Sequence, residues 1–80
     1  MEITIKYFGI IADITQKKEE TFLMDEGSNP LKKLQLKIEI KYPKILDINY
    51  SVSINKKIAN RDNELKDKDE VAFLPPFAGG

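Results

Sequence analysis

Apolar and polar residues alternate at the start of the chain, with Ile3, Ile5 and Tyr7 set between Glu2, Thr4 and Lys6. A period of two puts successive side chains on opposite faces of a strand, so residues 2–8 are predicted to form a half-buried β-strand with the isoleucines inward. Phe8 falls on the polar face of that pattern; it either closes over the edge of the core or stands exposed as a contact. Gly9 punctuates the strand. Ile10, Ile11 and Ile14 follow at i, i+1, i+4, which predicts a short helix over 10–16. A second apolar run, Thr21 to Met24, comes after the polar Lys17-Lys18-Glu19-Glu20 and is predicted to pair antiparallel with the first strand. Residues 25–29, with Gly27 and Ser28, read as a loop.

The next segment carries two periods at once. Leu34, Leu36, Ile38, Ile40 and Tyr42 alternate as in a strand, whereas Leu31, Leu34 and Ile38 have the i, i+3, i+7 spacing of a helix. The ends decide between them. Asn29 is a good N-cap and Pro30 suits the first helical position. Leu, Lys, Gln and Glu favour helix, and Tyr42-Pro43 supplies a stop. A helix over 30–41 is predicted. Lys33, Lys37 and Lys41 lie four apart on one face of it, and this like-charge row is expected to face water. Beyond it, Ser51 to Asn55 alternates with Val52 and Ile54 inward. Asn55-Lys56-Lys57 reads as a turn that leaves Ile58 as a lone apolar residue. Asn60 to Lys68 is polar apart from one anchor, Leu65. Asp69 to Leu74 is the last strand, with Val71 and Phe73 on one face and Ala72 and Leu74 on the other. No repeat or linker divides the chain.

Composition removes most catalytic chemistry. The 80 residues contain no cysteine and no histidine. Disulfides, a thiol nucleophile, a Cys/His zinc site and a histidine-centred triad are therefore excluded within this chain. If the protein takes part in a reaction, it is expected to be the carried partner and not the catalyst. Thirteen basic residues balance thirteen acidic ones, so no global attraction to nucleic acid is expected. Locally, Lys32, Lys33, Lys37, Lys41 and Lys44 cluster mid-chain, and Asp62, Glu64, Asp67, Asp69 and Glu70 cluster before the end. Both clusters read first as solvated surface; the acidic one also has the sign to steer a basic partner. No apolar run reaches membrane-span length and no signal-peptide pattern opens the chain, so a cytoplasmic protein without membrane contact is expected.

The chain closes on Pro75-Pro76-Phe77-Ala78-Gly79-Gly80. Two proline rings hold the backbone extended, and two glycines follow with no side chains at all. Such a tail can reach about 20 Å from a domain and suits a narrow channel in another protein. Its reactive group is the terminal carboxylate of Gly80. The plain alternative is a frayed end.

Taken together, Phe8 at the end of the first strand, Leu34 through Tyr42-Pro43 in the helix, and Asp69-Glu70-Val71-Ala72-Phe73-Leu74-Pro75-Pro76-Phe77-Ala78-Gly79-Gly80 at the end resemble the MoaD family. This is the small, sulfur-carrying subunit of molybdopterin synthase. The likeness spans the whole chain in length and element order, and its specificity lies in the last twelve residues. It implies an α+β fold of the ubiquitin-like β-grasp type. In that fold a mixed sheet carries one main helix, with residues 1–74 as the domain and 75–80 as a flexible Gly-Gly tail.

The resemblance further implies that an ATP-using, MoeB/E1-like enzyme adenylates the Gly80 carboxylate. A separate sulfur donor protein then displaces AMP to leave a thiocarboxylate. The tail would enter a MoaE-like large subunit, in a heterotetramer, where its sulfur attacks a cyclic pyranopterin monophosphate; two deliveries build the dithiolene of the molybdenum cofactor. No cofactor or metal is implied on this chain itself. Gly79 would let the channel close around the tail. Phe8, Ile58 and Leu74 match family positions of an apolar partner patch, with capping of the core edge as the alternative. Three features depart from the family pattern: a bulky Phe77, the absence of a glycine near Gln16-Lys17, and a lysine-rich surface. Related carriers for thiazole synthesis or tRNA thiolation, and a ubiquitin-like protein modifier joined through Gly80, are the competing readings.

Overall fold

The first and last strands meet at the centre of one sheet. The computed structural model describes residues 1–59 and 64–76. The elements are β1 (Glu2–Tyr7), α1 (Gly9–Thr15), β2 (Glu19–Leu23), α2 (Pro30–Lys41), a 3-10 turn (Pro43–Asp47), β3 (Ser51–Ile54), β4 (Lys57–Ile58) and β5 (Glu70–Leu74). The strand order is β2-β1-β5-β3-β4. β1 lies parallel to β5 and antiparallel to β2, while β3 is antiparallel to both β5 and β4. Parallel neighbours need a long crossover, and everything between residues 8 and 69 supplies it. This is the mixed sheet of a β-grasp fold, as the family resemblance implies.

The period-two reading of β1 holds. Ile3, Ile5 and Tyr7 are buried and opposed by Phe22, Val71 and Phe73. α2 spans the residues predicted for it, and the helical spacing wins over the alternation: Leu31, Leu34 and Ile38 enter the core, whereas Leu36 and Ile40 remain exposed. Asn29 takes the N-cap position expected of it, and its carbonyl accepts the Lys33 N–H. Asn29 makes no side-chain cap hydrogen bond; it sits in the left-handed region at φ 52°, which asparagine tolerates better than most residues. Pro43 ends α2, and the following turn drops Ile45 into the core between α1 and α2. That turn was not predicted, because one buried isoleucine carries no periodicity. Leu65 is buried, as expected of an anchor. Asn60 and Asp62, from the polar stretch, lie outside the described residues.

β3 and β4 form a hairpin in which Ile54 pairs with Lys57, leaving Asn55 (φ 50°) and Lys56 (φ 72°) as its two-residue loop. Positive φ at both positions is the mark of a type I′ turn, whose twist matches that of the strands. The Asn55 side chain also ties the hairpin to β5: its Nδ2 donates to Asp69 Oδ1 at 2.9 Å, and its Oδ1 accepts the Glu70 N–H at 3.0 Å.

Gln16 closes α1 in the left-handed region at φ 57°, with its N–H donating to the Ala12 carbonyl. The glycine missing near Gln16-Lys17 is thus missing from a position whose backbone favours one. Lysine in the hairpin bears the same strain. The double variant Gln16→Gly/Lys56→Gly is therefore expected to be more stable by about 1 kcal/mol, after the extra chain entropy of glycine is deducted. That is a rise of about 4–8 °C in thermal midpoint, checked by circular dichroism. An unchanged or lower midpoint would show that neither residue is strained.

Candidate functional site

The period-two register sorts the sheet into two faces. Ile3, Ile5, Val52, Val71 and Phe73 share a core with Leu31, Leu34 and Ile38 of α2. Thr4, Lys6, Glu70, Ala72, Leu74, Ser51 and Ser53 occupy the opposite face, as their pairing requires. Ile58 joins that face by pairing with Ser53, which itself pairs with Ala72. Phe8 follows Tyr7, the partner of Phe73, and so stands at the level of Leu74.

The sheet therefore brings Phe8, Leu74 and Ile58 to one region around the end of β5. Phe8 is 45% and Ile58 71% exposed, while Leu74 is half-buried. Of the two readings of Phe8, exposure fits. It is extended backbone at the start of α1 and its carbonyl accepts N–H bonds from Ile11 and Ala12. A large aromatic left in water at the mouth of a sheet is the kind of anchor that interfaces use. A Lys6–Glu70 ion pair at 3.5 Å lies on the same face, nearer the start of β5.

The tail leaves from this region. Pro75 is half-buried and Pro76 is exposed. Pro75 leans on Gly9, which has φ +55°; a Cβ on Gly9 would lie 3.0 Å from the Pro75 Cγ. Phe77, Gly79 and Gly80 lie outside the described residues.

A second cluster was not visible as such in the sequence. Glu20, on β2, sits under the end of α2 with its side chain only 11% exposed. Its Oε2 accepts hydrogen bonds from the hydroxyls of Tyr7 (2.5 Å) and Tyr42 (2.8 Å), and its Oε1 accepts from Lys41 Nζ (2.8 Å) and Lys17 Nζ (3.3 Å). Burial alone would raise its pKa, but the four donors outweigh burial and pull it down to about 2. The same contacts act in reverse on the neighbours. Burial and then Glu20 push the Tyr7 hydroxyl well above the ordinary tyrosine range, and the bond to Glu20 raises Lys41.

Lys41 is exposed, as expected of its row, yet it also reaches over the Phe22 ring at 5.2 Å and clamps β2 to α2 through Glu20. The sequence signal was there in the alternation of Glu20 with Phe22, which puts both on the inner face of an edge strand. Tyr50 is a smaller version of this arrangement. It stacks on Phe73 at 5.0 Å and donates to Glu39 at 2.6 Å; burial first, then Glu39, raise its hydroxyl to about 12. Tyr7 and Tyr50 brace the fold and are held un-ionised.

A mixed sheet with its main helix on one face, its first and last strands paired in the middle and an apolar region where the last strand runs out defines a ubiquitin-like β-grasp protein. The chain belongs to the ThiS family, whose model matches residues 5–80. It is 27% identical over 82 residues to the molybdopterin synthase sulfur carrier subunit of Mycobacterium tuberculosis, covering 100% of this chain and 99% of that protein.

Among solved structures it resembles molybdopterin converting factor subunit 1 of Pyrococcus furiosus, with TM-score 0.85, 23% identity and coverage of 96% of this chain and 99% of that one. It also resembles a chain in the complex of molybdopterin-converting factor subunits 1 and 2 of Helicobacter pylori, with TM-score 0.70, 24% identity and full coverage of both. Small archaeal modifier protein 1 of Haloferax volcanii matches with TM-score 0.78 and 16% identity over 95% of this chain and 98% of that one. The kinship expected from the last twelve residues is thus borne out by the family and by the M. tuberculosis relative. No helix among the described residues is long and apolar enough to cross a membrane.

Proposed function

We propose that this chain is a sulfur carrier for molybdopterin synthesis, with Gly80 as the cargo site. The observation that carries the reading is that the family match runs through residue 80, on a chain with no cysteine to hold sulfur in any other way. In the first step a carboxylate oxygen of Gly80 attacks the α-phosphorus of ATP on an adenylating enzyme and releases pyrophosphate. The acyl-adenylate so formed has AMP as its leaving group, which the free carboxylate lacks. A donor protein supplies the sulfur as hydrosulfide, which attacks the acyl carbon; the bond to AMP breaks, a proton is lost, and a thiocarboxylate remains. Its sulfur bonds to a carbon of a pterin in a large subunit, and water then hydrolyses the acyl–sulfur bond, which leaves sulfur on the pterin and returns the carrier as the carboxylate.

Phe8, Leu74 and Ile58 form the apolar docking region, and Phe77 and Gly79 enter the partner's channel. The H. pylori complex of subunits 1 and 2 supports a large-subunit partner. The absence of cysteine and histidine supports leaving all catalysis to the partners.

Incubation with the cognate adenylating enzyme, ATP and a sulfur donor is expected to shift the intact mass by one oxygen-for-sulfur exchange, localised to Gly80 by tandem mass spectrometry. An unchanged mass with an enzyme that activates its own known carrier would sink the reading. The likeness to small archaeal modifier protein 1 favours one second reading, conjugation through Gly80 to lysines of other proteins. Branched peptides carrying residues 69–80 of this chain on a target lysine in tryptic digests of cells would identify it.

A further inference from the structure

We propose that Gly9 is a positioning residue that sets the direction in which the tail leaves the domain; the inference rests on the carrier reading above and adds to it the part that aims the cargo. Two observations at this residue point the same way. Gly9 adopts φ +55° at the start of α1, a conformation open to glycine and costly for most other residues. The space where its side chain would be is taken by the ring of Pro75, with Cγ 3.0 Å, Cβ 3.8 Å and Cδ 3.9 Å from the position of a Cβ.

Pro75 is the first residue beyond β5, and β5 lies beside β1, so the two chain segments leave the sheet side by side. The ring therefore rests on the bare backbone of Gly9 just beyond the ladder. A proline ring cannot turn away from a clash as an ordinary side chain does, because it is fused to its own backbone nitrogen and fixes φ. Any atom added at Gly9 must push the backbone of Pro75, and the stiff Pro75-Pro76 pair transmits that displacement along the tail. A reacting group displaced by about 1 Å can lose of the order of 100-fold in rate, and a pivot at the tail's root is where a small push moves the far end most.

Gly9→Asn tests this without confusing contact with backbone strain. Asparagine tolerates positive φ, so the variant keeps the turn and adds only the side chain. In the full-length protein its initial rate of thiocarboxylate formation is expected to fall at least about 10-fold, mostly in kcat, while its thermal midpoint stays close to that of the wild type. Gly9→Asn/Pro75→Ala removes the ring atom that is struck and is expected to recover most of the lost rate, measured against Pro75→Ala alone. Residual dipolar couplings of the Phe77 and Ala78 amides should change in Gly9→Asn and revert in the double variant, a readout that needs no partner enzyme.

A Gly9→Asn protein with wild-type rate and couplings would overturn the proposal, as would a double variant no better than the single one. Wild-type protein that never acquires sulfur would instead defeat the carrier reading, and the couplings would still decide the role of Gly9.

Discussion

Deleting Gly80 is expected to abolish sulfur loading and leave the fold untouched. Every buried apolar residue among those described lies at or before Phe73, and a terminal glycine has no side chain to bury, so the thermal midpoint is expected not to move. Chemically, the shortened chain still ends in a glycine carboxylate, that of Gly79. That carboxylate would stop about 3.3 Å short of the reacting phosphorus. Activation of a weak nucleophile depends on holding it within a few tenths of an ångström of the attack path, so a loss of at least about 100-fold is expected.

A companion variant separates reach from reactivity. A semisynthetic chain ending in the Gly80 carboxamide keeps the full length but lacks the carboxylate oxygen that attacks ATP, and it too should stay unloaded while competing with wild type for the adenylating enzyme. Intact-mass analysis of all three chains reads the result. Loading of the truncated chain at the wild-type rate would place the chemistry elsewhere, and failure of the carboxamide chain to compete would show that the tail does not dock at all.

The strands and the main helix were legible because burial on one face leaves a period in the sequence. Ile3, Ile5 and Tyr7 alternate because their neighbours face the other side of the sheet, and Leu31, Leu34 and Ile38 repeat because one stripe of α2 meets that sheet. Where two periods overlapped, between residues 34 and 42, the end signals decided correctly: Pro30 at the first helical position and Pro43 beyond the last. The features that escaped are set by backbone dihedrals or by contacts distant in sequence. Asn29 takes the cap position it was read for, but in the left-handed region and without a side-chain cap bond. Gln16 looked like a departure from a family habit and occupies the backbone conformation that explains the habit.

The candidate site shows the same division. Phe8 stood out because it broke the alternation, and the sheet register explains why it, Leu74 and Ile58 come to one region. Gly9 read only as punctuation, since nothing local reveals that residue 75 will settle on it from the far end of the chain. Glu20 belonged to a run of four charged residues, 17–20, and such runs are ordinarily solvent-facing. What takes Glu20 out of the ordinary is the meeting of Tyr7 from β1, Lys41 from the end of α2 and Tyr42 just after it, 13 to 22 residues away in the chain.

Glu20 is also where the fold should be most sensitive to acid. Its pKa is about 2 in the folded protein against an ordinary 4.5. A carboxylate depressed on folding stabilises the folded state fully above its unfolded value, and that stabilisation drains away as pH falls through the folded value. The window therefore opens near pH 4.5 and closes near pH 2. With the side chain largely shielded from water, the contribution amounts to about 2–3 kcal/mol. Glu20→Gln keeps the shape but offers the two tyrosines and two lysines a neutral group with one acceptor oxygen, leaving buried hydroxyls short of a partner.

At pH 7 the variant is expected to melt about 8–20 °C below wild type. As pH falls toward 2 the wild type acquires the proton that makes it resemble glutamine, and the gap should shrink to a few degrees. Thermal unfolding of both proteins at pH 7, 5, 3.5 and 2 measures this. Equal midpoints at pH 7 would mean that the cluster costs in desolvation what it returns in hydrogen bonds, and a gap that persists at pH 2 would mean that the loss arises from packing and not from charge.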